Sequence, residues 1–379
     1  MKNNKEYTGH AGIKELKGIL SSFSIKKIFL VTGNKSYVIC GAKKEIDLIA
    51  SDLNVVHFKD FQLNPKIEDI EKGISLFKKE DPDGTVAVGG GSVIDTAKLI
   101  HFYAENGLNP FETPDHKKEI VKKRPLIAIP TTAGSGSEST HFAVLYKDKV
   151  KHSTAHEKIL PDIAIIDPDL TMSLPPYTTA VTGMDALAQA IESYWNINST
   201  EGSQEYARSS IALIIDNITT AVLAPTRTSR TAMAKAAHLA GKAINITKTT
   251  ASHAVSYPLT SYFGIPHGHA VALTLPAMLE YNGDVSKQDI QDQRGVMYVK
   301  QTVREIAEIL GVLDSKGAKK KLEELMDQIK LERRLSRLGI CSDEDIDLII
   351  QNSFNPDRVK KNPRYISRSG LRDILNEIR

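Results

Sequence analysis

Apolar residues fall into two regimes along the chain. Up to about residue 170 they gather in short, β-branched runs at 27–32 (KIFLVT), 55–58, 85–88 (TVAV), 125–129 (PLIAI) and 163–166. Residues 66–79 between them repeat apolar positions at helical spacing, and a further helix is expected from about Val93. Short apolar runs without polar alternation suit strands covered on both faces, and helical patterns between them imply βαβ units and a largely parallel sheet. Past residue 170 the strand signal nearly vanishes. Amphipathic segments at 183–194, 205–223, 230–244, 269–281, 302–310 and 318–338 read as helices. The expected architecture is an α/β domain over 1–170 and an all-α domain over 171–379, with Ser173-Leu174-Pro175-Pro176 near the boundary.

Composition narrows the function classes. A chain of 379 residues exceeds what one compact core usually takes. The net charge of +3 and the lack of a dominant Lys/Arg block argue against nucleic acid as a partner. No apolar run reaches the ~18 residues a membrane span needs. The first residues, MKNNKEYTGHAG, hold no apolar core of a signal peptide. Cys40 and Cys341 form no paired motif. The expectation is a soluble, cytoplasmic protein with two reduced thiols.

Two loops carry candidate chemistry. GGGSVIDTAK, from Gly89 to Lys98, joins a strand to a helix. Gly89, Gly90 and Gly91 permit a sharp turn and close approach of a diphosphate to main-chain N–H groups, and the helix N-terminus adds partial positive charge. Ser92 could cap that helix or donate to a phosphate, and Asp95 lies one turn further. PTTAGSGSE, from Pro130 to Glu138, follows another strand and offers the hydroxyls of Thr131, Thr132, Ser135 and Ser137. Each loop alone could be an ordinary turn. Two such loops after strands of one sheet favour a nucleotide.

A metal is the third candidate. In GMDALAQAIESYW, Asp185 and Gln189 are four residues apart and share a helix face. The segment SHAVSYPLTSYFGIPHGHA brings His253, His267 and His269. Imidazoles with a carboxylate suit a divalent cation that keeps an open position. Spacing alone leaves each histidine open between a ligand and an imidazole bonded to main chain.

Together these motifs, in this order and over nearly the whole chain, resemble the iron-containing (group III) alcohol dehydrogenase family. The resemblance implies a Rossmann-like nucleotide domain, a helical metal domain, and NADH or NADPH with Fe2+ or Zn2+ as cofactors. It matches Asp185, His253 and His267 to three of the family's four metal ligands. The fourth, usually His, is Gln189 here, a weak oxygen ligand or a hydrogen bonder beside the metal. Tyr257 stands where many relatives have a proton-relay His; a phenol can pass a proton, but with a pKa near ~10 it is a poorer base at neutral pH. Tyr257 and His267 are the catalytic candidates, with packing an equal alternative for Tyr257. His269 faces either substrate or core. Many NAD-selective relatives hold the adenosine ribose with an acidic residue after the first strand; Gly33, followed by Asn34, occupies that place here, so NADPH is expected to be tolerated.

Within the family the sequence looks closest to the branch that reduces phosphonoacetaldehyde to 2-hydroxyethylphosphonate in phosphonate biosynthesis. A small anionic aldehyde needs a cation near the metal. Lys248, five residues before His253 and flanked by Thr249 and Thr250, is the first candidate; Lys151, His152, Arg358 and Arg364 are others. A general short-chain alcohol, lactaldehyde or butanol dehydrogenase is the alternative. Two other classes stay open: a lyase of the dehydroquinate synthase kind, whose metal set usually begins with Glu, and a metal-free binding protein, suggested by Gln189. Relatives are often homodimers, which sets the expectation for assembly.

Overall fold

Leu30 and Phe29 explain the first layer: neighbours on one strand, they point to opposite faces, and both are buried. The computed structural model describes residues 4–62, 65–112, 119–148 and 150–379. By internal packing the chain divides into two units, Met1–Leu174 and Pro175–Arg379.

The first unit holds β1 (Lys5–Thr8), α1 (Glu15–Ser22), β2 (Lys27–Thr32), α2 (Lys35–Ile39), α3 (Ala42–Ile49), β3 (Asn54–Phe58), α4 (Ile67–Glu80), β4 (Gly84–Gly89), α5 (Gly91–Asn106), β5 (Leu126–Pro130), β6 (Phe142–Lys147), β7 (Val150–Ala155) and β8 (Ile163–Ile166). Six strands form one sheet in the order β1-β8-β5-β4-β2-β3, with every pairing parallel. Both faces are covered. Phe29, Val31 and Ala87 pack with Ile70, Phe77 and Ile100 of α4 and α5 on one side. Ile28, Leu30, Val86 and Ile127 pack with Leu16, Ile19 and Ile46 of α1 and α3 on the other. The sequence reading did not name α1, α2 or α3, and two strand features also lie outside it. β1 (KEYT) is polar, mostly exposed and at the sheet edge, so it carries little apolar signal. β6 and β7 form a separate antiparallel hairpin from half-buried, mixed residues.

The second unit is helical: α6 (Pro176–Trp195), α7 (Glu201–Leu223), α8 (Arg227–Thr247), α9 (Ala251–Phe263), α10 (His267–Gly283), α11 (Val296–Ile309), α12 (Ser315–Gln328), α13 (Asp343–Asn352), α14 (Pro356–Val359) and α15 (Arg368–Glu377). Thr200 and Thr226 cap α7 and α8 through reciprocal bonds with Ser203 and Ser229. The segment expected as one helix over 318–338 ends at Gln328. Lys330 takes φ 59°, which reverses the chain, and Leu331 and Leu335 reach the core from irregular backbone. α9 was hidden by its mixed polar and apolar residues and Pro258. No helix among the described residues is long and apolar enough to cross a membrane.

Candidate functional site

In the first unit the candidate nucleotide residues gather at the carboxyl ends of three adjacent strands. Gly33 follows β2, the glycine loop follows β4, and Thr131 follows β5. The last two loops touch: Thr131 N donates to Gly89 O at 3.0 Å. Their closeness depends on missing side chains. A Cβ on Gly90 would lie 3.2 Å from Thr132 Cγ2, and one on Gly91 would lie 2.6 Å from Ser135 Oγ. Gly90 caps α5, whose first turn carries no acidic residue to compete for its N–H groups. Ser92, Thr132 and Ser135 are half-buried and Asn34 is exposed, whereas Thr131 is buried.

Asp95 and Ser137 have another role than the one expected from sequence. Ser137 Oγ donates to Asp95 Oδ1, Val144 N donates to Asp95 Oδ2 at 3.0 Å, and Ser137 accepts from Lys98 Nζ at 3.3 Å. Lys98 is fully buried and also donates to Ser137 O, Thr140 Oγ1 and Phe142 O. This network ties α5 to the second loop. Burial pushes the Asp95 carboxyl up and the Lys98 ammonium down to about 8. Burial in tertiary bonds is the reason these two polar residues bind the protein rather than a ligand.

In the second unit Asp185, His253 and His267 meet. One ligand atom from each lies within 4.8 Å of the others. Asp185 Oδ1 is 3.5 Å from His253 Nε2 and 3.9 Å from His267 Nε2. Three helices supply them: α6, α9 and α10. Gly268 lets α10 approach α6, because a Cβ there would overlap the Val181 carbonyl oxygen and come within 2.9 Å of Asp185 Cβ. Gly264, at φ 70°, and Pro266 separate α9 from α10, so the two histidines come from different helices.

The other imidazole nitrogens set the chemistry. His253 Nδ1 is 2.5 Å from Glu192 Oε2. A carboxylate only accepts, so Nδ1 carries a proton and Nε2 is the nitrogen directed at Asp185. Ser256 Oγ donates its single hydrogen to His253 O at 2.7 Å, so it accepts from His267 Nδ1 at 3.2 Å. The Nε2 lone pair of His267 therefore also faces Asp185. Burial would drive His253 neutral, but Glu192 and Asp185 outweigh it and raise its pKa to about 9, so a cation entering here displaces a proton from Nε2. Burial alone would raise Glu192, yet His253 and the Thr250 bonds hold it below its ordinary value.

Glu192 and Ser256 were missed in the sequence. Glu192 is 0% exposed and accepts from Thr250 N, Ser252 N and His253 N at 3.1, 2.8 and 3.2 Å. It thus satisfies N–H groups that α9 would otherwise leave orphaned, since Thr250 provides no side-chain cap. The available signal was spacing: Asp185, Gln189 and Glu192 stand at i, i+4 and i+7 on α6.

These residues fit a divalent cation. Two imidazole Nε2 atoms and a carboxylate converge, each imidazole held from behind by a hydrogen bond. Gln189 adds an orphaned acceptor: its Oε1 is buried and has no hydrogen-bond partner among the described residues.

The remaining candidates separate. Tyr257 is one turn after His253, with its ring 6.3 Å from that of His267 at 25°. Its hydroxyl accepts from Arg358 Nε at 3.1 Å. His269 is not a substrate residue. Two positions along α10 from His267 it points about 200° away, and both its nitrogens are engaged, Nδ1 with Tyr177 OH at 3.1 Å and Nε2 with Glu332 O at 2.7 Å. Thr250 is buried, and its hydroxyl accepts from Trp195 Nε1 at 2.9 Å and donates to the Glu192 carboxylate, which leaves no hydrogen for a substrate. Lys248 ends α8 at φ 67° and ψ −176°, a conformation glycine favours, and is half-buried. Arg364 is paired with Asp289 at 2.7 Å. Lys151 and His152 belong to β7 of the first unit.

Comparisons with known proteins give the family. A family profile described as iron-containing alcohol dehydrogenase matches residues 3–168, and one described as Fe-containing alcohol dehydrogenase family, C-terminal, matches residues 179–378. The NAD-dependent methanol dehydrogenase of Bacillus methanolicus is 30% identical over 97% of this chain and 96% of its own. The phosphonoacetaldehyde reductase of Streptomyces viridochromogenes is 31% identical over 78% of this chain and 76% of its own. The crystal structure of sulfoacetaldehyde reductase from Bifidobacterium kashiwanohense in complex with NAD+ is 30% identical, covers 100% of this chain and 97% of its own, and has a TM-score of 0.87. The chain belongs to the iron-containing alcohol dehydrogenase family.

Proposed function

We propose that this enzyme reduces a small anionic aldehyde to a primary alcohol with NADH or NADPH, with phosphonoacetaldehyde to 2-hydroxyethylphosphonate as its reaction. The observation that carries the reading is the convergence of Asp185, His253 and His267 with the Nε2 atoms of both imidazoles turned inward. The substrate choice draws support from two relatives named for two-carbon aldehydes bearing an oxyanion. When bound, the cation supplies Lewis-acid polarisation of a carbonyl oxygen and the dinucleotide supplies hydride.

The chain's own residues do the rest. Asp185, His253 and His267 hold the cation, with Gln189 Oε1 as a weak fourth donor. Glu192 and Ser256 fix which imidazole nitrogen stays unprotonated. Tyr257 donates its hydroxyl proton to the nascent alcohol oxygen. Gly89, Gly90, Gly91 and Ser92 receive the diphosphate on the N-terminal turn of α5, with Thr132 and Ser135 donating beside them. Gly33 and Asn34 present no carboxylate, so a 2′-phosphate meets no repulsion there. Lys248, strained at the start of the loop before α9, attracts the substrate's anionic group. The reading takes the enzyme as a cytoplasmic homodimer in phosphonate biosynthesis.

The methanol dehydrogenase relative favours a second reading, a short-chain alcohol dehydrogenase acting on uncharged substrates. Family membership sets aside the lyase alternative. The test is oxidation of NADPH and of NADH with phosphonoacetaldehyde, glycolaldehyde, lactaldehyde and butanal, each with Fe(II), Zn(II) or chelator. Fastest turnover of the phosphonate supports the first reading. Fastest turnover of butanal or lactaldehyde refutes it in favour of the second, and aldehyde-dependent turnover undiminished by chelator removes the metal.

A further inference from the structure

We infer that Arg358 recognises the oxyanion of the substrate, holding it at the far side of Tyr257 from the metal group. The inference rests on the anionic-aldehyde reading above and names the residue that enforces it.

The residues form a connected series. His253, Ser256 and Tyr257 occupy i, i+3 and i+4 on α9, one face of that helix. His267 lies between His253 and Tyr257, 5.4 Å from the first ring and 6.3 Å from the second. Arg358 comes from α14, which packs on α9, and its Nε donates to Tyr257 OH at 3.1 Å. A permanent cation is therefore bonded to the hydroxyl of a tyrosine whose ring lies beside His267. The sequence offered Arg358 only as one of several candidate cations of unfixed position, because it lies 101 residues from Tyr257.

The chemistry needs a second cation at such a place. A phosphonate or sulfonate oxygen is a harder, more charged ligand than an aldehyde oxygen, so it outcompetes the carbonyl for a divalent metal. A substrate bound that way round cannot be reduced. A guanidinium removes the problem: it is charged at every working pH, and its planar fork matches a tetrahedral oxyanion. Tyr257 has a second part here. By accepting from Nε it fixes the plane of the guanidinium, so it is a positioning residue for Arg358 as well as the proton donor proposed above.

The experiment uses the full-length enzyme and the variants Arg358→Met, Arg358→Lys and Tyr257→Phe. Three quantities are measured: kcat/KM for phosphonoacetaldehyde and sulfoacetaldehyde, kcat/KM for butanal, and calorimetric binding of 2-hydroxyethylphosphonate. Arg358→Met is expected to lower kcat/KM for both anionic aldehydes by about 100-fold, as for loss of a charged hydrogen-bonding partner, while butanal changes less than threefold. Product affinity is expected to fall in step. Arg358→Lys is expected to recover part of the loss. Tyr257→Phe is expected to weaken product binding a few-fold. The phosphonate and sulfonate arms show which oxyanion is preferred. Equal losses for butanal and the anionic aldehydes, or unchanged product affinity, overturn the assignment of Arg358. If the wild type favours the anionic aldehydes and Arg358→Met keeps that preference, the substrate reading stands and only Arg358 is excluded. If the wild type favours butanal and fails to bind the product, the substrate reading itself falls, and this assignment with it.

Discussion

Replacing Glu192 by Gln tests whether one buried carboxylate both starts α9 and arms a metal ligand. The change keeps shape and removes charge. One oxygen of Glu192 accepts from Ser252 N and His253 N, the other from Thr250 N and His253 Nδ1. Whichever way the amide of Gln points, its NH2 faces two N–H groups that then have no acceptor. A hydrogen bond to a charged group is worth about 1.5–3 kcal/mol, and losing two while two weaken places the loss at about 3–5 kcal/mol. For a unit of this size that lowers Tm by roughly 6–20 °C. The imidazole also loses its fixed tautomer, which by the usual effect of such partners weakens metal affinity by about 10–100-fold. The assay is Zn2+ competition against a chromophoric chelator, with thermal unfolding of the metal-free protein in parallel. A fall in Tm with unchanged affinity would leave Glu192 as a helix cap alone; affinity and Tm both at wild-type values would refute the reasoning.

Three other perturbations follow from the site and core. Gly268→Ala places a methyl against the Val181 carbonyl and Asp185; it is expected to destabilise the protein by about 1–3 kcal/mol and to separate His267 from Asp185, read as lost Zn2+ binding in the folded protein. Retained binding would show that α10 can shift without harm. Gln189→Leu is expected to weaken Zn2+ affinity by about tenfold and Gln189→His to restore or exceed it, by the same competition assay; identical affinities would show that the amide takes no part. His101 bonds Thr85 in the core of the first unit, and burial pushes it from 6.5 down to about 3. Because the folded value is the lower, the unfolded chain takes up a proton as pH falls from about 6.5 towards 3, and stability declines over that window. His101→Gln is expected to flatten the denaturant-derived stability profile there by about one proton, and an unchanged slope would mean that His101 is not neutral in the fold.

The order of strands and helices was legible because period and composition are local. β2, β4, β5 and β8 are apolar without interruption, which only a strand covered on both faces demands, and α7 and α8 repeat apolar residues at helical spacing. Elements whose residues have mixed environments stayed hidden, among them β1 at the edge, the β6–β7 hairpin, and α9 with His253 and Pro258. The glycine loop was readable from residue type in a fixed order, whereas the set Asp185, Gln189, His253 and His267 came from the family resemblance, since spacing left each histidine open.

What the fold alone decided is which polar groups face one another. His267 and His269 are alike in sequence and opposite in place, because a helix turns them about 200° apart. Ser137 and Ser135 belong to one loop, yet only Ser137 is locked by Asp95 and Lys98. Glu192 looks like any helical glutamate until α9 brings three N–H groups and an imidazole to it. Arg358 meets Tyr257 only through the packing of α14 on α9. A sequence states the chemistry that each side chain can do; burial and distant partners select which of it remains available.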